Sequence, residues 1–157
     1  MDFASSFAAT LLRNDVVLMF GELGSGKTQF VKGVCRYFRV QSPISSPTFV
    51  MLHRYEGRDK SDSEMLLYHF DLYKVKTESE ILELGYEEFF QGKGICLIEW
   101  GEKLRELLPP YRTEITFTHG SKENERKIEV DVIHNEMTVK REQMRPSRNV
   151  QNEYPRN

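Results

Sequence analysis

Cysteine is scarce in this sequence. Only Cys35 and Cys96 occur, each inside an apolar run. Two such thiols are expected to be buried and unpaired, which points away from a disulfide scaffold and toward a reducing, cytoplasmic setting. Long apolar runs are absent too. None approaches the roughly 20 residues of a membrane-spanning helix, so no membrane partner is expected. No basic-then-apolar leader opens the chain. Positive charge is not in excess: the net charge of −2 supplies no basic field, so direct nucleic-acid binding by bulk electrostatics is not indicated. Repeats are lacking. His53, His69, His119 and His134 show no metal-ligand spacing, and core or surface placement is expected for them.

What is present is a phosphate cradle. Gly21-Glu22-Leu23-Gly24-Ser25-Gly26-Lys27-Thr28 fits G-x-x-x-x-G-K-[ST] without a mismatch. The apolar run Val16–Phe20 precedes it and a helical pattern follows, so strand, loop and helix stand in the required order. The glycines allow the loop to wrap around a phosphate. Backbone N–H groups and the N-terminus of the next helix then favour the anion. Lys27 can reach the outer phosphates, and the Thr28 hydroxyl can ligand Mg²⁺. A glycine-rich turn before an ordinary helix is the competing reading, and the context outweighs it.

With 157 residues the chain suits one domain. Phe3, Phe7, Ala8 and Leu11 give a helical face over residues 3–12. Val16–Phe20 reads as a strand buried on both faces, the usual state in parallel α/β sheets. A helix from about Lys27 to Phe38 buries Phe30, Val31, Val34, Cys35 and Phe38. Residues 48–55 and 66–73 read as a hairpin with a long loop, with His69, Asp71 and Tyr73 on one face of its second strand. Thr77 and Glu80 form a capping box for a helix carrying Ile81, Leu82, Leu84, Phe89 and Phe90, ending near Gly92 and Gly94. Ile95–Glu99 is a strand, 102–108 a short helix, and 114–118 with 127–133 a hairpin with one wet face. Residues 1–135 thus form the expected nucleotide-binding domain. Residues 136–157 are polar, with Pro146 and Pro155, and are expected to be a disordered or loosely attached tail. Its basic cluster (Lys140, Arg141, Arg145, Arg148, Arg156) reads as a solvated tail ahead of an RNA contact.

A nucleotide cradle needs a metal site and a group to position water. Ile95–Glu99, an apolar strand ending in a carboxylate, follows the Walker-B pattern and brings Glu99 toward the Mg²⁺ expected at Thr28. Asp71 lies within another, otherwise apolar strand. It is either a structural carboxylate with a partner, or a metal-shell or water-orienting group. Thr48, after Ser46-Pro47, is placed like the γ-phosphate-sensing threonine of small GTPases, by analogy alone. Trp100 either packs in the core or covers the site. The guanine-reading Asn-Lys-x-Asp is missing, as are Asp-x-x-Gly, Leu-Ser-Gly-Gly and an arginine-rich lid. Those absences leave a minimal P-loop ATPase that works with a partner. A small-molecule kinase and a non-catalytic nucleotide-sensing module remain as alternatives.

Five stretches taken together resemble one family: Gly-Glu-Leu-Gly-Ser-Gly-Lys-Thr at 21–28, Ser-Pro-Thr-Phe at 46–49, His-Phe-Asp-Leu-Tyr-Lys at 69–74, Glu-Leu-Gly-Tyr-Glu-Glu-Phe-Phe at 83–90 and Ile-Glu-Trp-Gly at 98–101. They look like the TsaE (YjeE) family of bacterial ATPases and span about half the chain. The resemblance implies a compact P-loop α/β domain with a mixed central sheet flanked by helices. It implies ATP and Mg²⁺ as cofactors. It also implies a role in making N6-threonylcarbamoyladenosine at position 37 of tRNAs that read codons beginning with A. The implied partner is the TsaB–TsaD heterodimer, which does the carbamoyl transfer, and tRNA would be met only through that complex. By the same resemblance Lys27 binds phosphate, Thr28 and Glu99 bind Mg²⁺, Asp71 supports the metal or water, and Thr48 and Trp100 sit at the mouth. Family members usually carry a further strand and a threonine, near the adenine, ahead of the helix at 3–12; this sequence holds no counterpart to them.

Overall fold

The structure, a computed structural model, describes residues 2–134 and 150–155. Seven strands among the described residues make one mixed sheet: β1 (Val16–Phe20), β2 (Leu52–Arg58), β3 (Glu64–Asp71), β4 (Ile95–Glu99), β5 (Arg112–His119), β6 (Glu125–Ile133) and β7 (Val150–Pro155). Their order is β2-β3-β4-β1-β5-β6-β7. The centre is parallel: β1 lies between β4 and β5, and β3 flanks β4. β2 on one side and β6 and β7 on the other run antiparallel to their neighbours. The carboxyl ends of β1, β3 and β4 therefore meet at one edge, where ligands of open α/β sheets bind.

Both faces of the central strands are covered, which explains their unbroken apolar sequence. In β1, Val17 and Met19 face α1 (Phe3–Ala8) and α2 (Lys27–Tyr37), while Val16 and Leu18 face the opposite layer. That second layer contains α3 (Glu78–Glu83), α4 (Tyr86–Phe90) and a 3-10 segment, Gly101–Leu107. The same parity holds in β3 and β4. Leu67, Ile95 and Leu97 pack with the α1–α2 layer, and Phe70, Cys96 and Ile98 pack on the other side. Period two then puts His69, Asp71 and Glu99 on the face from which α2 rises.

Phe3, Phe7, Phe30 and Phe117 form a connected ring cluster that pins α1 over α2. Close approach is possible because Gly33 carries no side chain: a Cβ there would lie 2.4 Å from the Cβ of Ala4. Gly33→Val is expected to force the helices apart and cost about 2 kcal/mol, within the usual range for overpacking. A urea melt within 0.5 kcal/mol of the parent, roughly the scatter of neutral substitutions, would contradict this packing. Cys35 and Cys96 are both free and buried, as expected. Burial pushes the Cys35 thiol up to about 12 and Cys96 still higher.

Several boundaries differ from the sequence expectation. The first hairpin is displaced: residues 48–51 are turn, not strand, and Met51 has a φ of 65°. Pairing instead runs from Leu52↔Phe70 to Arg58↔Glu64, so the loop is short. Gly57 makes this possible, because a Cβ there would meet the carbonyl of Phe38 at 2.4 Å. The helix expected through residues 78–90 breaks at Gly85, whose φ is 69°. The Thr77 capping box is present, with Glu80 Oε2 accepting from the Thr77 N–H at 3.0 Å. The expected helix at 102–108 is 3-10, with Arg105 at φ 48°. Of the expected tail, residues 136–149 and 156–157 lie outside the described residues, as do all five residues of its basic cluster. Val150–Pro155 pairs along β6 as a strand, so this part of the tail is attached to the sheet by backbone hydrogen bonds that polar composition does not reveal.

Candidate functional site

The loop after β1 is built around three glycines with positive φ: Gly21 (145°), Gly24 (77°) and Gly26 (113°). At Gly21 a Cβ would meet Ser25 Oγ at 2.6 Å and the Phe117 carbonyl at 2.7 Å, so conformation and space both require glycine. Ser25 N donates to the Glu22 carbonyl at 3.0 Å, and Phe30 N to the Gly26 carbonyl at 2.9 Å, which carries the loop directly into α2. Leu23 stands exposed at the tip. Ser25 is buried, and its hydroxyl has no hydrogen-bond partner.

Lys27 is buried, with its ammonium donating to the carbonyls of Gly21 and Glu22, the latter at 3.0 Å. The same ammonium lies 4.1 Å from the centroid of the Trp100 ring. Burial depresses its pKa below the usual lysine value, and the charges of Glu99, Glu102 and Asp71 oppose that shift. Trp100 is half-buried, has a left-handed backbone (φ 60°) and packs against Tyr73 at 5.0 Å between centroids. The cation and the two rings form one wall of the opening.

Asp71 and Glu99 are direct neighbours in the β3–β4 register, and both are buried. Glu99 Oε1 accepts from Thr28 Oγ1 at 2.8 Å and pairs with His69 Nε2 at 2.9 Å. Asp71 Oδ2 accepts from Ser46 Oγ at 2.6 Å and Thr48 Oγ1 at 3.0 Å, while its Oδ1 accepts from Tyr73 N at 3.0 Å. One cavity of about 400 Å³ opens among these groups. It is lined by the loop from Leu23 to Thr28 and, opposite, by Thr48, Asp71, Glu99 and Trp100.

The chain matches the family model "Threonylcarbamoyl adenosine biosynthesis protein TsaE" over residues 1–128. The chain belongs to the TsaE family. Among its relatives is the tRNA threonylcarbamoyladenosine biosynthesis protein TsaE of Bacillus subtilis, 34% identical over 145 residues, covering 92% of this chain and 87% of the relative. The protein of the same name from Rickettsia bellii is 43% identical, covering 73% of this chain and 76% of the relative. The one from Treponema pallidum is 39% identical, covering 68% and 74%. Among solved structures, Bacillus subtilis YdiB superposes with a TM-score of 0.66 at 28% identity, covering 90% of this chain and 84% of that one.

For a TsaE chain the expected walls of the site are thus brought together. Thr28, Thr48, Asp71, Glu99 and Trp100 converge on the cavity with Lys27, whereas Gly21 and Glu22 lie behind the loop and contribute carbonyls to Lys27. The donor set fits a nucleotide with a hard divalent cation. The cradle has an unpartnered buried hydroxyl at Ser25, and two adjacent carboxylates face it beside the Thr28 hydroxyl. No cluster of three metal-ligating side chains occurs among the described residues. Mg²⁺ takes one or two carboxylates and fills its shell with phosphate and water oxygens, and Asp71 and Glu99 could supply that number.

His69 is the residue beside the site that spacing alone does not reveal. It is completely buried, and its Nδ1 has no hydrogen-bond partner. An unpaired buried acceptor is easier to tolerate than an unpaired N–H, so the ring proton belongs on Nε2, donating to Glu99. Period two in β3 already put His69 beside Asp71; what could not be read was that β4 would bring Glu99 opposite.

Proposed function

We propose that this chain is the ATP-binding and ATP-hydrolysing subunit of the machinery that makes N6-threonylcarbamoyladenosine at position 37 of tRNAs reading codons that begin with A. The carrying observation is the meeting of Lys27, Thr28 and Glu99 at one cavity on the carboxyl edge of the sheet. The names of the relatives supply the pathway. Loop N–H groups and Lys27 hold the phosphates. Thr28 Oγ1 and Glu99 would hold Mg²⁺, which supplies charge neutralisation at the transferring phosphoryl group. After its three hydrogen bonds Asp71 has one lone-pair site left, on Oδ1. It ties the 46–48 loop to the site and supports metal or water. Trp100 and Tyr73 shield Lys27 from solvent.

Nothing in the cavity lining supplies an arginine to neutralise transition-state charge. Turnover by the chain alone is therefore slow, and the TsaB–TsaD heterodimer is the partner whose cycle it serves. Net negative charge leaves tRNA contact to that complex. The test is ATP turnover of the purified chain, with and without TsaB–TsaD. Phosphate release should rise at least about a hundredfold in the complex, the lower range of what completing a site contributes. An unchanged rate, or phosphate recovered on a small-molecule acceptor, would overturn the reading.

A further inference from the structure

Behind the cradle, away from the cavity, the β5–β6 hairpin backs onto the loop. The Phe117 carbonyl stands where a side chain on Gly21 would be. Nearer the hairpin turn, Arg126 of β6 reaches across: its Nε donates to the carbonyl of Ser25 at 3.2 Å. Its Nη1 donates to the carbonyls of Glu123 at 3.1 Å and Glu125 at 3.0 Å, within its own hairpin. One guanidinium thus joins two pieces of backbone 101 residues apart in sequence.

The Ser25 carbonyl belongs to the Ser25–Gly26 peptide, and no cis peptide occurs among the described residues. In a trans peptide the C=O and N–H point in opposite directions. A carbonyl drawn toward Arg126 therefore turns the Gly26 N–H away from the hairpin. Gly26 lines the cavity, at the N-terminus of α2. The cation also sits at the oxygen end of that peptide dipole. It stabilises the orientation that presents the positive end to an anion, and it polarises the N–H as a donor. Gly26, at φ 113°, imposes little orientation of its own.

We propose that Arg126 is a positioning residue of the phosphate cradle, fixing the Ser25–Gly26 peptide so that the Gly26 N–H is held ready for a phosphate oxygen. The inference rests on the reading of the loop as a nucleotide site. It makes the hairpin part of the binding machinery, although no hairpin residue lines the cavity. Substitution at Arg126 then weakens nucleotide binding without touching the nucleotide.

The deciding experiment compares the parent chain, Arg126→Gln and Arg126→Lys by amide ¹H–¹⁵N spectra and by titration with ADP and Mg²⁺. In Arg126→Gln the Gly26 amide resonance should move in the nucleotide-free protein, and ADP affinity should fall about tenfold, the scale of one lost charge-assisted hydrogen bond. Arg126→Lys should recover part of both, because a cation remains near the carbonyl. If Arg126→Gln does not fold, Arg126→Lys is compared with the parent, and its Gly26 shift and ADP affinity must still depart from the parent values. A Gly26 amide at its parent position, or ADP bound as tightly as by the parent, overturns the inference alone. A parent chain that does not bind ADP overturns the nucleotide-site reading itself.

Discussion

Glu99→Gln is expected to lower ATP hydrolysis by about a hundredfold or more, the usual effect of removing one preorganised electrostatic group, while ADP affinity stays within a few-fold of the parent. Glutamine keeps an Oε1 that can accept from Thr28 Oγ1 and His69 Nε2, so the local hydrogen bonds survive. What disappears is the negative charge beside the Thr28 hydroxyl, where Mg²⁺ is proposed to sit. Binding in the ground state leans on the loop amides and Lys27, which the substitution leaves in place. Single-turnover phosphate release and a fluorescent-ADP titration on the same preparation separate the two quantities. If hydrolysis in Glu99→Gln stays within tenfold of the parent, Glu99 is not the metal-side carboxylate. If hydrolysis is lost but tRNA modification persists, the chain is a nucleotide sensor.

Lys27→Ala should abolish nucleotide binding at micromolar concentrations, a loss of about a hundredfold or more in affinity for a charge-assisted contact in a closed site. The nucleotide-free protein should suffer as well. The charges of Glu99, Glu102 and Asp71 act on Lys27, and its removal takes the nearby cation away from two neighbouring buried carboxylates. A melting temperature that falls, and that ADP no longer raises, is the expected pair of results. ADP protection equal to that of the parent would show that the loop alone carries the phosphates.

Lys27 also gives the site a pH dependence. Because burial lowers its pKa, the ammonium loses its proton at a pH below that of a free lysine. Phosphate affinity should therefore decline with rising pH before the ordinary lysine range is reached, and in Lys27→Arg that decline should vanish. Stability moves in the opposite sense. Between the lowered folded value and the ordinary one, the unfolded chain holds more protons on this group, so its contribution to stability rises with pH across that window.

Much of the site could be read along the chain, because its parts are local. The loop is one continuous segment whose glycines and lysine have a fixed spacing. Parity along an extended strand is equally local. Once Leu67 and Leu97 face α2, His69, Asp71 and Glu99 must do so too. The misplaced features are those set by contacts between distant segments. Thr48 looks like the start of a strand, yet its hydroxyl and that of Ser46 are held by Asp71, and the chain turns there instead. The β2–β3 register depends on Gly57 fitting against the Phe38 carbonyl. β7 pairs through backbone groups, and its polar sequence gives no sign of it.

By itself, the sequence determined the cradle and its chemistry. Glycines at positive φ, with a lysine and a threonine at the head of a helix, follow a buried strand in the arrangement suited to a phosphate. It also determined that Glu99 would end an apolar strand. The tertiary structure decided what faces the cradle: which strands flank β1, the Glu99–His69–Thr28 cluster, the Trp100–Tyr73 wall over Lys27, and the reach of Arg126 to Ser25. The physical reason is range. Backbone angles and side-chain parity are fixed within a few residues. The partner of a buried histidine or guanidinium is fixed only when strands far apart in sequence settle into one register.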